Sequence, residues 1–484
     1  MKNQLFRSIA VALLALFFVQ SSFATCGGGG GGGGGGMSNN GGGGGSNTPV
    51  YIVPWKVRKP KDPPAMGLVL YWFPASNNEV NNSSLRQSRA LSLYASQCVS
   101  MELADTHVPN ADKLVGDSKL PVAVLATPDG APVSKVENTN GKLKVGDVEK
   151  VVEGEMKQRE GALDGQLKDA ADKVKGGDKD SAIKIYRAVL DQKCLFPKKA
   201  KEAQKQLKAL GVADIASVAP APIFERRQSA IIERTMRRGL IAEMNAQYVA
   251  ADKLYTQAHL MDPADPTPLR YLGENYRHNI GAWDKARSAF NQILDMPADP
   301  LSRSVALHGL GKMTIHDGEF KKGLALMERA VDEYPLALAY RNLAVYWNSE
   351  GDAARGNAYT QQALALDPKD PYNLVFAAVF MAANGKKDEA LKIARANVNL
   401  MPASYNLAAI YAQNGQRDKA LALLRRHFYQ YERYNSVRAK EMMEARVDAV
   451  FDSIRADREF IALTKGADGR LPIPMKGMST GSRE

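Results

Sequence analysis

Near the C-terminus the run Gly477-Met478-Ser479-Thr480-Gly481 has the letters of a nucleophile elbow. In such an elbow a serine is exposed on a tight turn between a strand and a helix. Here the flanks are polar and only Ser482, Arg483 and Glu484 follow, so neither element can form and the run reads as a tail. The six histidines, His107, His259, His278, His308, His316 and His427, show no zinc-protease spacing. The three cysteines, Cys26, Cys98 and Cys194, form no Cys-x-x-Cys and no Cys/His cluster. Cys98 and Cys194 are expected to be separate buried thiols, with pairing in an oxidising compartment as the alternative. The chain has no phosphate loop ending in Gly-Lys-Ser/Thr and no dinucleotide fingerprint. No enzyme activity, cofactor or metal is therefore expected.

The 484 residues are 45% apolar and 24% charged, ordinary for a folded protein with several domains. A net charge of +12 favours acidic partners, but no arginine-rich run interleaved with aromatics predicts a nucleic-acid groove. The N-terminus reads as an export signal over 1–25. Lys2 and Arg7 precede the apolar run Ile9 to Val19, and Ser22-Phe23-Ala24 supplies small residues at alternate positions. Cys26 follows Phe23-Ala24-Thr25, which resembles a lipoprotein box with two poorly fitting residues. Lipidation of Cys26, with membrane attachment, and simple cleavage after Ala24 both remain open. Residues 26–48 are mostly glycine and read as a flexible tether. The periplasm, or a membrane-anchored place in the cell envelope, is the expected location.

Residues 49–160 alternate strand and helix signals. Val50 to Val57 predicts a strand, and Gly67 to Phe73 a buried central one. A helix over Ser84 to Ser96, a strand over Val99 to Leu103, a hairpin about Thr127-Pro128-Asp129-Gly130 and a helix from Val145 follow. This order, with Leu120-Pro121 before the third core strand, resembles a thioredoxin-like domain. The redox members of that family carry a Cys-x-x-Cys after the first of these core strands. This chain has Pro74-Ala75-Ser76-Asn77-Asn78-Glu79 there, so a redox-inactive version is implied. The alternative is an enzyme of a non-disulfide kind, with Ser76 to Glu79 carrying its chemistry.

Beyond Asp164 the signals are helical: a hairpin extension over 161–211, a linker over 212–228 and a periodic array over 229–430. Leu343-Ala344, Trp347, Gly351, Ala363 and Pro368 recur, in most positions, as Leu310-Gly311, Gly318, Ala330 and Pro335. Gly239, Ala251, Tyr255, Ala258 and Pro263 fit an earlier unit, and Leu272-Gly273, Tyr276, Ala286 and Phe290 fit with one extra residue in the turn. Ala378, Gly385, Ala390 and Pro402, then Leu407-Ala408, Tyr411, Gly415 and Ala420, complete six units with a period of about 34 residues. This array resembles the tetratricopeptide repeat family, which implies an α-solenoid of stacked hairpins. The expected fold class is α/β plus all-α. Capping helices over 431–466 and a loose tail over 467–484 complete the chain.

In that family the first helix of each hairpin lines a concave groove. Residues at that facing are Arg270 and Arg277, then His308 and Lys312, then Arg341 and Asn348. Guanidinium groups bind carboxylates through paired hydrogen bonds, so these cations suit an acidic protein or peptide partner. A second basic region comprises Lys198, Lys199, Lys201, Lys205, Lys208, Arg226, Arg227, Arg234, Arg237 and Arg238. The function expected is an exported protein-interaction scaffold.

Overall fold

The computed structural model describes residues 49–465 except 60, 61, 63, 106, 107, 109, 400–403 and 432–434. The expected leader, Cys26, the glycine tract, His107, Pro402 and the segment Gly477–Gly481 lie outside the described residues.

The apolar run Leu68–Phe73 forms β1, buried at every position except Tyr71. Ser76 caps the short helix α1 (Asn77–Asn82), and Ser88 caps α2 (Arg89–Ser96). Then come β2 (Val99–Leu103), α3 (Ala111–Val115), β3 (Val122–Ala126) and β4 (Pro132–Glu137). The sheet order is β2-β1-β3-β4. β1 runs parallel to β2 and antiparallel to β3, which pairs antiparallel with β4. The Leu120-Pro121 peptide bond is cis.

The strand predicted over Val50 to Val57 does not form; only Lys56 makes a bridge, to Glu102. The side chains of this extended segment are divided between two cores. Val53 and Trp55 pack into the sheet unit, whereas Val50 and Tyr51 pack into the helical array. The helix from Val145 runs unbroken to Lys175 as the 31-residue α4, straight through the boundary expected near 160. Its interior glycines Gly154, Gly161 and Gly165 each cost helix stability of about 1 kcal/mol. Leu163, Leu167 and Ala170 offset this by packing in one core with residues of α5 (Lys179–Asp191) and α6 (Pro197–Ala209).

Cys98 and Cys194 are not separate thiols. They form a disulfide with Cα atoms 5.8 Å apart, tying the start of β2 to the turn after α5. Spacing in the sequence cannot reveal this, because the hairpin extension folds back against the sheet. The approach there is close. A Cβ on Gly67 would lie 2.3 Å from the Cys98 carbonyl oxygen and 3.1 Å from Leu195.

The array is six antiparallel hairpins: α7 (Arg226–Met244) with α8 (Tyr248–Met261), α9 (Pro266–Glu274) with α10 (Trp283–Asp295), α11 (Pro300–His316) with α12 (Phe320–Glu333), α13 (Ala337–Ser349) with α14 (Ala353–Leu366), α15 (Pro371–Ala383) with α16 (Lys387–Asn397), and α17 (Tyr405–Gln413) with α18 (Arg417–Arg426). The period of about 34 residues and the stacked hairpins make this a tetratricopeptide-type solenoid. The turn glycines Gly318, Gly351, Gly385 and Gly415 take φ values of 69 to 91°, where a side chain would be strained. Gly311 and Gly323 let α11 and α12 touch: a Cβ on Gly311 would lie 2.8 Å from the Gly323 carbonyl oxygen. The extra residue of the second unit is absorbed by a π-helical end to α9, Asn275–Ile280.

After α18 the chain continues through a π-helical turn, His427–Tyr431, to α19 (Asn435–Val447), a 3-10 turn (Ala449–Ile454) and α20 (Arg458–Thr464). Phe451, Ile454 and Phe460 join the core of the last hairpins, as a cap requires, while Ile461 stays 47% exposed.

Candidate protein-binding face

Three first helices of the array begin with the dipeptide Asp-Pro: Asp265-Pro266, Asp299-Pro300 and Asp370-Pro371. Each Asp caps its helix by accepting backbone N–H bonds, and each Pro fills the first position, where no N–H partner is needed. These caps also receive cations. Arg270, 29 residues before Asp299, donates to Ser302 at 3.4 Å beside that Asp. Arg341, 29 residues before Asp370, donates to Asn373 at 2.8 Å and lies 3.6 Å from Asp370. The corresponding position before Asp265 is Met236, and the missing cation comes from outside the array. Arg89 of α2 donates to Asp265 at 3.3 Å and to Asp262 at 2.5 Å, and Tyr51 donates to Asp265 at 2.8 Å. Burial alone would lower the Arg89 pKa, but Asp265, Tyr51 and Asp262 outweigh it and hold the guanidinium above its ordinary value. The sequence reading missed Arg89 because nothing near it in the chain is acidic.

The residues expected to line the groove divide accordingly. Arg270 and Arg341 are buried ties between neighbouring hairpins, and Arg270 Nε and Nη2 have no hydrogen-bond partner among the described residues. Asn348 is turned toward α14: a Cβ on Gly356 would lie 3.4 Å from its own Cβ. Arg277, His308 and Lys312 are brought together, all buried, with Arg341 and Tyr346 close by. Arg277 pairs with Glu274 at 2.7 Å. His308 meets the Asn342 amide at 2.8 Å. Burial, then Arg277, Lys312 and Arg341, drive its pKa well below 6.5, so its imidazole is neutral. Burial would lower Lys312 as well, but Tyr346 and Glu444 outweigh it and keep the ammonium charged.

These side chains are buried, and α19 brings Glu444 near Lys312. Its Glu441 meets the His427 imidazole at 2.5 Å, and Glu444 lies 4.0 Å from His316. Burial would raise the Glu441 pKa, but His427, His278 and Lys312 hold its carboxyl below the usual range. The helix joins residues far apart in the chain: the π-helical end of α9, Lys312 and His316 of α11, and Tyr405 of α17 through Asp448 at 3.1 Å. Sequence reasoning placed a cap here, but not its acids against the groove cations.

The loop Ser76 to Glu79 holds no nucleophile–base pair. The Ser76 hydroxyl caps α1 by accepting from the Glu79 N–H at 3.2 Å. Burial pushes the Glu79 carboxyl up to about 7. In the second basic region Lys198, Lys201, Lys205 and Lys208 are exposed on α6, and Arg226, Arg227, Arg234, Arg237 and Arg238 are exposed on α7. Lys199 is tied to Asp164 at 2.5 Å. Among the described residues no group of three His, Cys, Asp or Glu is arranged to hold a metal ion, and no helix is long and apolar enough to cross a membrane.

No family model matches the chain. The CTR9 homolog protein of Arabidopsis thaliana is 24% identical over a 224-residue alignment covering 36% of this chain and 20% of the relative. This chain therefore spans about a fifth of that protein's length. TTC0263, a thermophilic TPR protein of Thermus thermophilus, is 21% identical over 39% of this chain and 98% of its own, with a TM-score of 0.31. PilW, a type IV pilus biogenesis factor, is 15% identical over 51% of this chain and 98% of its own, also with a TM-score of 0.31. Cut9–Hcn1, from an APC/C hetero-tetramer, is 16% identical over 60% of this chain and 61% of its own, with a TM-score of 0.33. Likenesses of this size carry no functional argument. The solenoid is assigned from its own six stacked hairpins and their period.

Proposed function

We propose that this chain is an exported scaffold of the bacterial cell envelope whose helical array receives an acidic protein or peptide segment on its inner face. The observation that carries this reading is the convergence of Arg277, His308 and Lys312 from two consecutive first helices, with Glu441 and Glu444 of α19 near Lys312. Cations held without full solvation favour a carboxylate that arrives with its own hydrogen-bonding geometry. Export is supported by the leader pattern before Cys26 and by the Cys98–Cys194 disulfide, a bond that persists in oxidising compartments. Lipidation at Cys26 would add a membrane tether of glycine-rich chain. The strand order β2-β1-β3-β4 supports a thioredoxin-like origin for the sheet unit, which would then serve as a redox-inactive brace.

Purification from cross-linked envelopes tests this function. Wild-type chain is expected to recover a discrete partner whose yield falls at least about tenfold with Lys312→Met, the scale of a lost charge-assisted contact. A yield indifferent to Lys312 contradicts the groove. Recovery of no partner contradicts the scaffold itself.

A further inference from the structure

The inner face is already occupied. On α19, Glu441, Glu444 and Ala445, followed by Asp448 just beyond its end, recur at spacings of three, four and seven residues, which places them on one helical face. Met442 and Ala445 are fully buried beside the acids. The other side of the helix looks outward, with Met443 54% and Val447 78% exposed. An amphipathic helix with an acidic inner face thus lies with Glu441 at His427, Glu444 at His316 and near Lys312, and Met442 and Ala445 in the core of the last hairpins.

We propose that α19 is a displaceable occupant of the inner face, holding the place of an amphipathic helix with an acidic face from a partner protein and leaving when that helix enters. This rests on the scaffold reading and specifies its ligand: a helix with carboxylates three and seven residues apart and a small apolar residue between them. Two observations favour displacement over a permanent plug. Met443 and Val447, four residues apart, form an exposed apolar pair on its outward side, a second face available to a partner. Its inward contacts combine two apolar side chains, Met442 and Ala445, with carboxylate–imidazole contacts of Glu441 and Glu444, which another helix carrying the same face would reproduce one for one. Tethering gives α19 an effective concentration on the order of millimolar, so a free helix competes only weakly until α19 is loosened.

The test uses the full chain and a labelled peptide of residues 435–454 of this same sequence. Fluorescence anisotropy is expected to show at least about tenfold tighter peptide binding to E441Q/E444Q than to wild type, since the variant weakens only the tethered copy. Equal binding to both, or none to a variant with wild-type circular dichroism, overturns the proposal. Hydrogen exchange on the wild-type chain covers the case of a variant that fails to fold. Amides of α19 are expected to exchange through a local opening well before those of α11 to α14. Exchange of α19 only on global unfolding overturns displacement and leaves the scaffold function standing.

Discussion

The Arg89 guanidinium of the sheet unit donates to Asp265 of the array at 3.3 Å, across 176 residues of chain. Both side chains are at most 2% exposed, and Asp265 also caps α9. One carboxylate therefore starts a helix and docks a second unit. Removing the cation leaves Asp262 and Asp265 buried without it. Arg89→Met is predicted to destabilise the chain by about 3–5 kcal/mol. Urea unfolding should show this, and Asp262→Asn added to it should recover part of the loss. An unchanged midpoint would mean that the extended segment around Tyr51 holds the units together alone.

The disulfide closes a loop with a sequence separation of 96. Cross-linking a loop of that size restricts the unfolded chain by about 4–5 kcal/mol in the entropy account. Cys98→Ala/Cys194→Ala is predicted to lower stability on that order, chiefly in the sheet unit and α4 to α6. Thiol counting on the unfolded wild-type chain should find neither Cys98 nor Cys194 free before reduction.

Glu243 accepts from the Tyr255 hydroxyl at 2.7 Å and from the Asn279 amide at 3.2 Å, yet burial pushes its carboxyl up to about 7. The folded state then binds the proton more tightly than the unfolded chain does. Stability must fall as pH rises from about 4.5 to 7, and the cost is complete above that. Glu243→Gln is predicted to be more stable than wild type by about 1–2 kcal/mol at pH 8, with the advantage vanishing near pH 4.5. Thermal melts at the two pH values check the sign.

His278 works in the opposite direction. Burial and then Arg277 bring its pKa down to about 4, so the native protein resists protonation that the unfolded chain accepts. Stability contributed by the neutral ring is lost as pH falls from about 6.5 to 4, with an upper bound of about 3 kcal/mol. His278→Gln is predicted to flatten the urea midpoint between pH 7 and 5. A slope as steep as wild type would assign the acid sensitivity elsewhere.

The array was legible from its glycines and alanines because close helix approach excludes larger side chains at a fixed period. The burial of Arg270 and Arg341 was not. Helical spacing gives a direction around one helix but not what the next hairpin places above it. The return of α19 onto Lys312 and the pairing of Cys98 with Cys194 depend on contacts between distant segments, and no local pattern encodes them. The strand expected from Val50 fails for a related reason: its apolar alternation serves two cores instead of one sheet.

Photo-cross-linking in cells tests the receptive inner face most directly. A photoreactive residue replacing His316, beside Glu444 at the mouth of the cation cluster, is compared with one replacing Lys322 on α12, the second helix of the same hairpin. The account predicts adducts to another protein from position 316 and none from 322. Adducts from 322 alone, or from neither position, would contradict it.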